Sequence, residues 1–210
     1  MYTRYFDIGM CKGHELRIMT EDVFPSLQIN EWDAYGFEPC KEHFNDTCNL
    51  TNKDPRIHLI NMAISDFEGE GKLYHCPKLF EGHSLFKSKK NVSKTNFETV
   101  QCTRLSTWIH EHGIDLRTSF NILRMNIEGS EWKLIQDVIL SGLRPDIHVF
   151  CGAYTDVQKI GEYEGRMQEY LSYLTDNNVI VHPFCKKRKE DTNKIREIIK
   201  KAKEKHEAST

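Results

Sequence analysis

No apolar run in this chain of 210 residues approaches the length of a bilayer-spanning helix. The first residues, Met1-Tyr-Thr-Arg-Tyr-Phe-Asp7, lack the basic-then-apolar pattern of a leader segment. Both absences lead us to expect a cytoplasmic protein. No CxxC pair occurs among the seven cysteines, at 11, 40, 48, 76, 102, 151 and 185, and an odd number cannot pair fully inside one chain. Reduced thiols are therefore expected. Charge of one sign is missing too: the net charge is -2, which describes neither a globally basic nucleic-acid binder nor, with 39% hydrophobic residues, a disordered chain. The length suits one α/β domain with its own core.

What is present is an alternation of short apolar runs and amphipathic stretches. Tyr5, Phe6 and Ile8 form a first strand that stops at Gly9, and it begins almost at the first residue. Such a start fits either a domain excised from a longer polypeptide or a compact homologue without an N-terminal extension. Residues 13–20 read as a short helix interrupted before Pro25, and Asp33–Phe37 as the second strand. Helix returns over 40–50. Arg56–Asn61 is a near-continuous apolar run, expected to be a third strand buried on both faces.

Residues 67–104 break the rhythm with two strand-like runs, Lys72–Cys76 and Glu98–Thr103, around a long polar loop. This predicts a β insertion after strand three, with the segment from Glu81 to Lys94 as a lid over an acceptor site. The alternation resumes with a helix over 105–113, a strand at Phe120–Asn126, an amphipathic helix over Ser130–Leu140 and a strand at Asp146–Phe150. A helical pattern from Ile160 to Leu174 and a last strand at Asn178–His182 complete it. From Lys186 the composition turns basic, with Ile195, Ile198, Ile199 and Ala202 on one helical face. The expected division is a domain over 1–185 and a basic C-terminal helix over 186–210.

Alternating strands and helices predict a doubly wound, mostly parallel sheet, whose ligands bind beyond the carboxyl ends of the strands. Asp7 and Gly9 end the first strand, Glu38 and Pro39 follow the second, Ala63 to Asp66 follow the third, and Asn126-Ile-Glu128 ends a central one. Glu38, about twenty-five residues after Gly13, is placed to accept hydrogen bonds from ribose hydroxyls. The first turn, however, reads Asp-x-Gly-x-x-x-Gly and lacks the G-x-G-x-x-G that a dinucleotide pyrophosphate needs. An acidic residue there suits a ligand with positive charge, an α-amino group or a sulfonium.

The motifs Asp7-Ile-Gly-Met-Cys-Lys-Gly13, Phe37-Glu-Pro39, Asn61-Met-Ala-Ile-Ser-Asp66, Gly82-His-Ser-Leu85 and Met125-Asn-Ile-Glu-Gly-Ser-Glu131 occur in one order. In that order the chain resembles the FkbM-type methyltransferases, over roughly residues 4–152. The resemblance implies a class I methyltransferase fold with a seven-stranded sheet, and S-adenosylmethionine as cofactor. It implies that Asp7, Gly9 and Gly13 line the methionine moiety, that Glu38 with Pro39 holds the ribose, and that Ala63, Ile64 and Asp66 border the adenine. Asn126 stands near the transferred methyl, where relatives commonly carry an aspartate; an amide there orients a group but is no general base.

The implied activity is O-methylation of a hydroxyl on a sugar or glycan, with the protein aligning the acceptor in line and excluding water. Candidates for removing the hydroxyl proton are Glu128, His83, Glu131 and Tyr154, with Glu128 first and Asn126 as an orienting group. No metal site is expected: His110 and His112 flank Glu111 on a helix, where such side chains diverge. Two other classes stay open. One is an NAD(P)-dependent oxidoreductase on a similar sheet, the other a non-catalytic module that binds nucleic acid through Lys186–Lys205.

Overall fold

A computed structural model describes residues 1–51, 54–77, 81–185 and 189–208. Nine strands are present among them: β1 (Thr3–Ile8), β2 (Trp32–Phe37), β3 (Ile57–Ile60), β4 (Ala63–Ile64), β5 (Gly69–Tyr74), β6 (Phe97–Thr103), β7 (Phe120–Met125), β8 (Val149–Gly152) and β9 (Val181–Pro183). Six form the main sheet in the order β3-β2-β1-β7-β8-β9, and every neighbouring pair is parallel. The order reverses direction between β1 and β7. That is the switch point at which a doubly wound sheet leaves a crevice.

Helices α1 (His14–Arg17), α2 (Phe24–Ser26), α3 (Lys41–Thr51), α4 (Leu105–Glu111), α5 (Glu131–Leu140), α6 (Met167–Asp176) and α7 (Lys189–Glu207) cover both faces. The strand period of two divides the core accordingly. Phe6, Ile8, Leu123 and Met125 face a cluster with Trp108, Trp132 and Leu134, whereas Tyr5, Phe120 and Ile122 face Leu16, Met19 and Phe24. The second cluster includes the fully buried Ile195 and Ile199 of α7. The basic C-terminal segment thus packs on the same sheet as the rest, although residues 186–188 and 209–210 of that expected unit lie outside the described residues.

The α/β, doubly wound, parallel reading holds, with one change in count: the main sheet has six strands among the described residues, not seven. After β9 the chain enters α7, whose Lys/Glu/Ile-rich sequence favours helix over a further strand. The β insertion is a separate sheet in the order β4-β6-β5, with β5 and β6 antiparallel. Three further expectations need adjusting. β3 is an edge strand and only half-buried, because it pairs with β2 alone. The first helix does not stop before Pro25: a π-helical turn over Ile18–Val23 joins α1 to α2, and the Phe24 N–H reaches back to Met19 O. Pro25 then sits directly after that π-helical turn, in the three-residue α2. Finally, Arg144–Asp146 forms a 3-10 turn around Pro145, which delays β8 to Val149.

Candidate active site

The ends of β1, β2 and β7 open on a cavity of about 250 Å³, with Gly9, Cys11, Glu38, Ala63, His83 and Glu128 among its lining residues. Gly9 is there for a steric reason. Its φ is +79°, and a Cβ at that position would lie 2.3 Å from Asn126 O, so the first turn can pass the end of β7 only as glycine. Gly13 also has a positive φ, but a Cβ there would strike Thr47 of α3 at 2.5 Å. Its role is packing, and it does not line the cavity.

Glu38 is buried at the cavity wall, and its carboxylate is held from two sides. Cys11 N–H donates to Oε2 at 2.9 Å and Cys40 N–H to Oε1 at 2.8 Å. Asn61 braces the turn behind it by donating to the carbonyls of Glu38 and Pro39 at 2.8 and 3.0 Å. Burial pushes the Glu38 carboxyl up to about 7, with the two backbone donors opposing the shift and the charges of Glu98 and Asp7 adding to it. Each oxygen has one backbone donor and a further lone pair. Such a carboxylate can accept two more hydrogen bonds from a vicinal diol.

Asp7 differs from its expected place. It is fully buried away from the cavity, and Arg124 Nη1 donates to its Oδ1 at 2.5 Å. The same guanidinium lies 3.5 Å from Glu15 and donates to Gly9 O at 3.3 Å. It is Arg124 and Glu15, not Asp7, that reach the cavity wall. The charge of Asp7 is therefore neutralised inside the sheet and is no direct argument about the ligand.

Among the expected adenine neighbours, Ala63 and Ile64 line the cavity together with Met62, while Asp66 pairs outside it with Lys133 at 2.9 Å. That ion pair holds the Asp66 carboxyl below its usual range against the effect of its partial burial. Pro39 and Asn126 are on the wall. Tyr154 packs against the core and is not on it. Glu131 turns inward and accepts N–H groups of Ile127 and Gly129 at 3.0 and 2.8 Å, so it shapes the strand-to-helix turn. Burial raises its carboxyl to about 7.

His83 is fixed by its neighbours. Its Nδ1 accepts the Cys76 N–H at 3.0 Å, so the neutral ring carries its hydrogen on Nε2. Burial, together with His75, His43 and Lys89, lowers it to about 4. A ring so held is a hydrogen-bond donor at neutral pH rather than a proton acceptor. Cys40, His43 and His83 bring donor atoms within 4.8 Å of one another. The two rings, however, stack at an interplanar angle of 7°, and His83 Nδ1 is already engaged. Parallel rings do not aim their lone pairs at a common ion, so this cluster does not form a ligand set as it stands. All seven cysteines are free thiols.

Sequence reasoning passed over Arg124, Glu15 and Lys89. Arg124 had a signal: a lone charge within Phe120–Met125, a strand buried at every position, requires a buried partner. Lys89 had none, because its surroundings come from distant segments. No helix among the described residues is long and apolar enough to cross a membrane.

The sequence matches the family model for the methyltransferase FkbM domain over residues 7–204, a span that includes nearly all of α7, and the chain belongs to that family. No curated protein and no solved structure matches it significantly.

Proposed function

We propose that this member of the FkbM methyltransferase family transfers a methyl group from S-adenosylmethionine to a hydroxyl of a sugar or glycan. The observation that carries the reading is the Glu38 carboxylate, buried at the cavity wall, braced by two backbone N–H groups and still able to accept from a diol. Bound in this cavity, the cofactor would supply an electrophilic methyl on a sulfonium. The protein's own part is positional. Gly9 lets the backbone come close, Glu38 orients the ribose, and Met62, Ala63 and Ile64 offer an apolar wall to the base.

On the acceptor side, Asn126 and Glu128 at the end of β7 line the cavity, and the neutral His83 offers an Nε2–H that can donate to an acceptor oxygen. A hydroxyl acceptor fits these groups, because it needs both an orienting donor and a carboxylate to receive its proton. A carbohydrate supplies several such hydroxyls. The test is calorimetry with S-adenosylhomocysteine and, separately, NAD(P), on the wild type and on Glu38→Ala. We expect S-adenosylhomocysteine alone to bind and the substitution to abolish it; unchanged affinity in Glu38→Ala removes the ribose role.

A further inference from the structure

The polar loop after Gly82 carries a lysine that does not reach solvent. The Lys89 side chain is fully buried, and its Nζ donates to Gly82 O at 2.9 Å and to Glu128 Oε2. A buried ammonium is tolerated when a carboxylate and further hydrogen bonds compensate it, and both are present here. The pair is asymmetric. Lys89 has 0% side-chain exposure and Glu128 has 21%, and Glu128 lines the cavity whereas Lys89 does not. The lysine therefore approaches from within the protein, and the carboxylate is the member of the pair that faces the cavity.

The loop that brings Lys89 there is fastened at several points. Ser84 pairs with Tyr74 of β5 in an antiparallel bridge, with N–H···O distances of 2.7 and 3.1 Å. Ser84 Oγ donates to Glu128 O at 2.8 Å and accepts the Phe86 N–H at 3.1 Å. Lys94 Nζ donates to Lys89 O at 2.8 Å. One loop thus grips Glu128 twice, at its backbone carbonyl through Ser84 and at its carboxylate through Lys89. The backbone of Glu128 gives the reason: it is a non-glycine residue with φ of +56°, a conformation that persists where the surroundings over-determine it.

We propose that Lys89 is the positioning residue of the acceptor side: from beneath the loop 82–94 it holds the Glu128 carboxylate ionised and aimed into the cavity, where Glu128 receives the proton of the acceptor hydroxyl. The proposal rests on the methyl-transfer reading above. As the acceptor oxygen bonds to the methyl carbon, the carbon–sulfur bond breaks with its electron pair passing to sulfur. The hydroxyl proton passes to Glu128, which becomes neutral beside the Lys89 ammonium. A carboxyl already protonated at neutral pH is no base, and one free to rotate loses its alignment with the acceptor. Burial raises the Glu128 carboxyl, and the Lys89 charge opposes that rise. Other charges act on Glu128 as well: Asp156 and Lys159 in the turn after β8 and Glu131 in α5, with Glu81 and His83 on the same cavity wall.

Infrared titration of the carboxyl bands in the cofactor-free protein reads the state of Glu128 without any acceptor, with Glu128→Gln subtracted to identify its band. In the wild type that band should be that of an ionised carboxylate at neutral pH; a protonated Glu128 there overturns the proposal whatever the variants do. Lys89→Met fills similar space without the charge and should move the Glu128 transition up by about one pH unit or more. Lys89→Arg restores the charge and should bring the transition back towards the wild type. A lysine that only filled space would be replaced by methionine with no movement. Lys89→Gln, neutral yet still a donor for Gly82 O, asks the same question where Lys89→Met does not fold. An unmoved transition in either folded variant, or one that arginine does not bring back, overturns the proposal. Calorimetry with S-adenosylhomocysteine on the wild type keeps the two ideas apart: absent binding removes the cofactor reading and leaves the titration result standing.

Discussion

The Arg124 guanidinium lies 2.5 Å from the Asp7 carboxylate, at a point in the sheet where neither side chain meets solvent. β1 and β7 are paired in parallel there, with Asp7 opposite Arg124 in register, so the ion pair ties the two strands that flank the switch point. Removing one partner leaves a charge buried without compensation, which is strongly destabilising. We expect Asp7→Asn to lower unfolding free energy by about 3 kcal/mol, with Glu15 limiting the loss. Replacing both residues by apolar ones of similar volume should recover much of it. Urea unfolding of the single and double variants is the measurement, and a single variant as stable as wild type would contradict the buried-pair account.

Gly9 supports a second expectation. Alanine there must adopt φ +79° and place its Cβ 2.3 Å from a backbone oxygen that β7 cannot easily withdraw. The left-handed conformation alone costs of order 1 kcal/mol or more for a residue with a side chain. Gly9→Ala should therefore lower the melting temperature and weaken S-adenosylhomocysteine binding together. Thermal shift with and without the ligand reads both; unaltered values would mean that the turn is looser than its geometry indicates.

The strand ends were legible in the sequence because they depend on local pattern. Gly9 stops an apolar run, Glu38 follows the next, and a period of two runs through β1 and β7. What the pattern could not reveal was direction. Asp7 and Glu38 each stand at a strand end, yet one turns into the sheet to meet Arg124 and the other toward the cavity. Asp66 likewise follows a strand end but is drawn aside by Lys133, and Lys89 meets Glu128 only through long-range folding of the insertion. A fully buried lysine in a polar loop carries no local signature. The edge position of β3 was equally hidden, because an apolar run looks alike at the centre and the margin of a sheet.

The α7 helix makes its own prediction. Ile195 and Ile199 are fully buried against the β1–β7–β8 side of the core, and Arg196 reaches Asp22 and Ser26 beside α2 at 3.0 and 2.8 Å. Ile199→Ala should cost about 2–5 kcal/mol, as for other large-to-small core changes. A helix acting as a detached basic arm would instead show almost no loss. Chemical denaturation distinguishes the two. The acidic residues Glu190, Asp191, Glu197, Glu204 and Glu207 interleave with the lysines of this helix, so we also expect no steeply salt-dependent binding of nucleic acid.

The raised Glu38 carboxyl links the cavity to pH. Its ordinary value of 4.5 moves to about 7 in the folded protein, so the native state binds more protons than the unfolded chain between those values. Stability contributed by this group is present below the unfolded value and is lost as pH rises through about 7. His83 and His148, each lowered from 6.5 to about 4, act in the opposite sense, since the unfolded chain binds the extra proton between those values. The Glu38 contribution must therefore be isolated by difference: the wild type should lose stability relative to Glu38→Gln as pH is raised from about 5 to 8. Ligand affinity should run the other way. Only the ionised carboxylate accepts from both hydroxyls of a diol, so S-adenosylhomocysteine should bind more tightly as pH rises, by up to about tenfold per unit below the transition. Calorimetry in buffers of different ionisation heat should then show a proton released on binding near neutral pH. A pH-independent affinity, with no proton released, would mean that Glu38 is already ionised or does not meet the ligand.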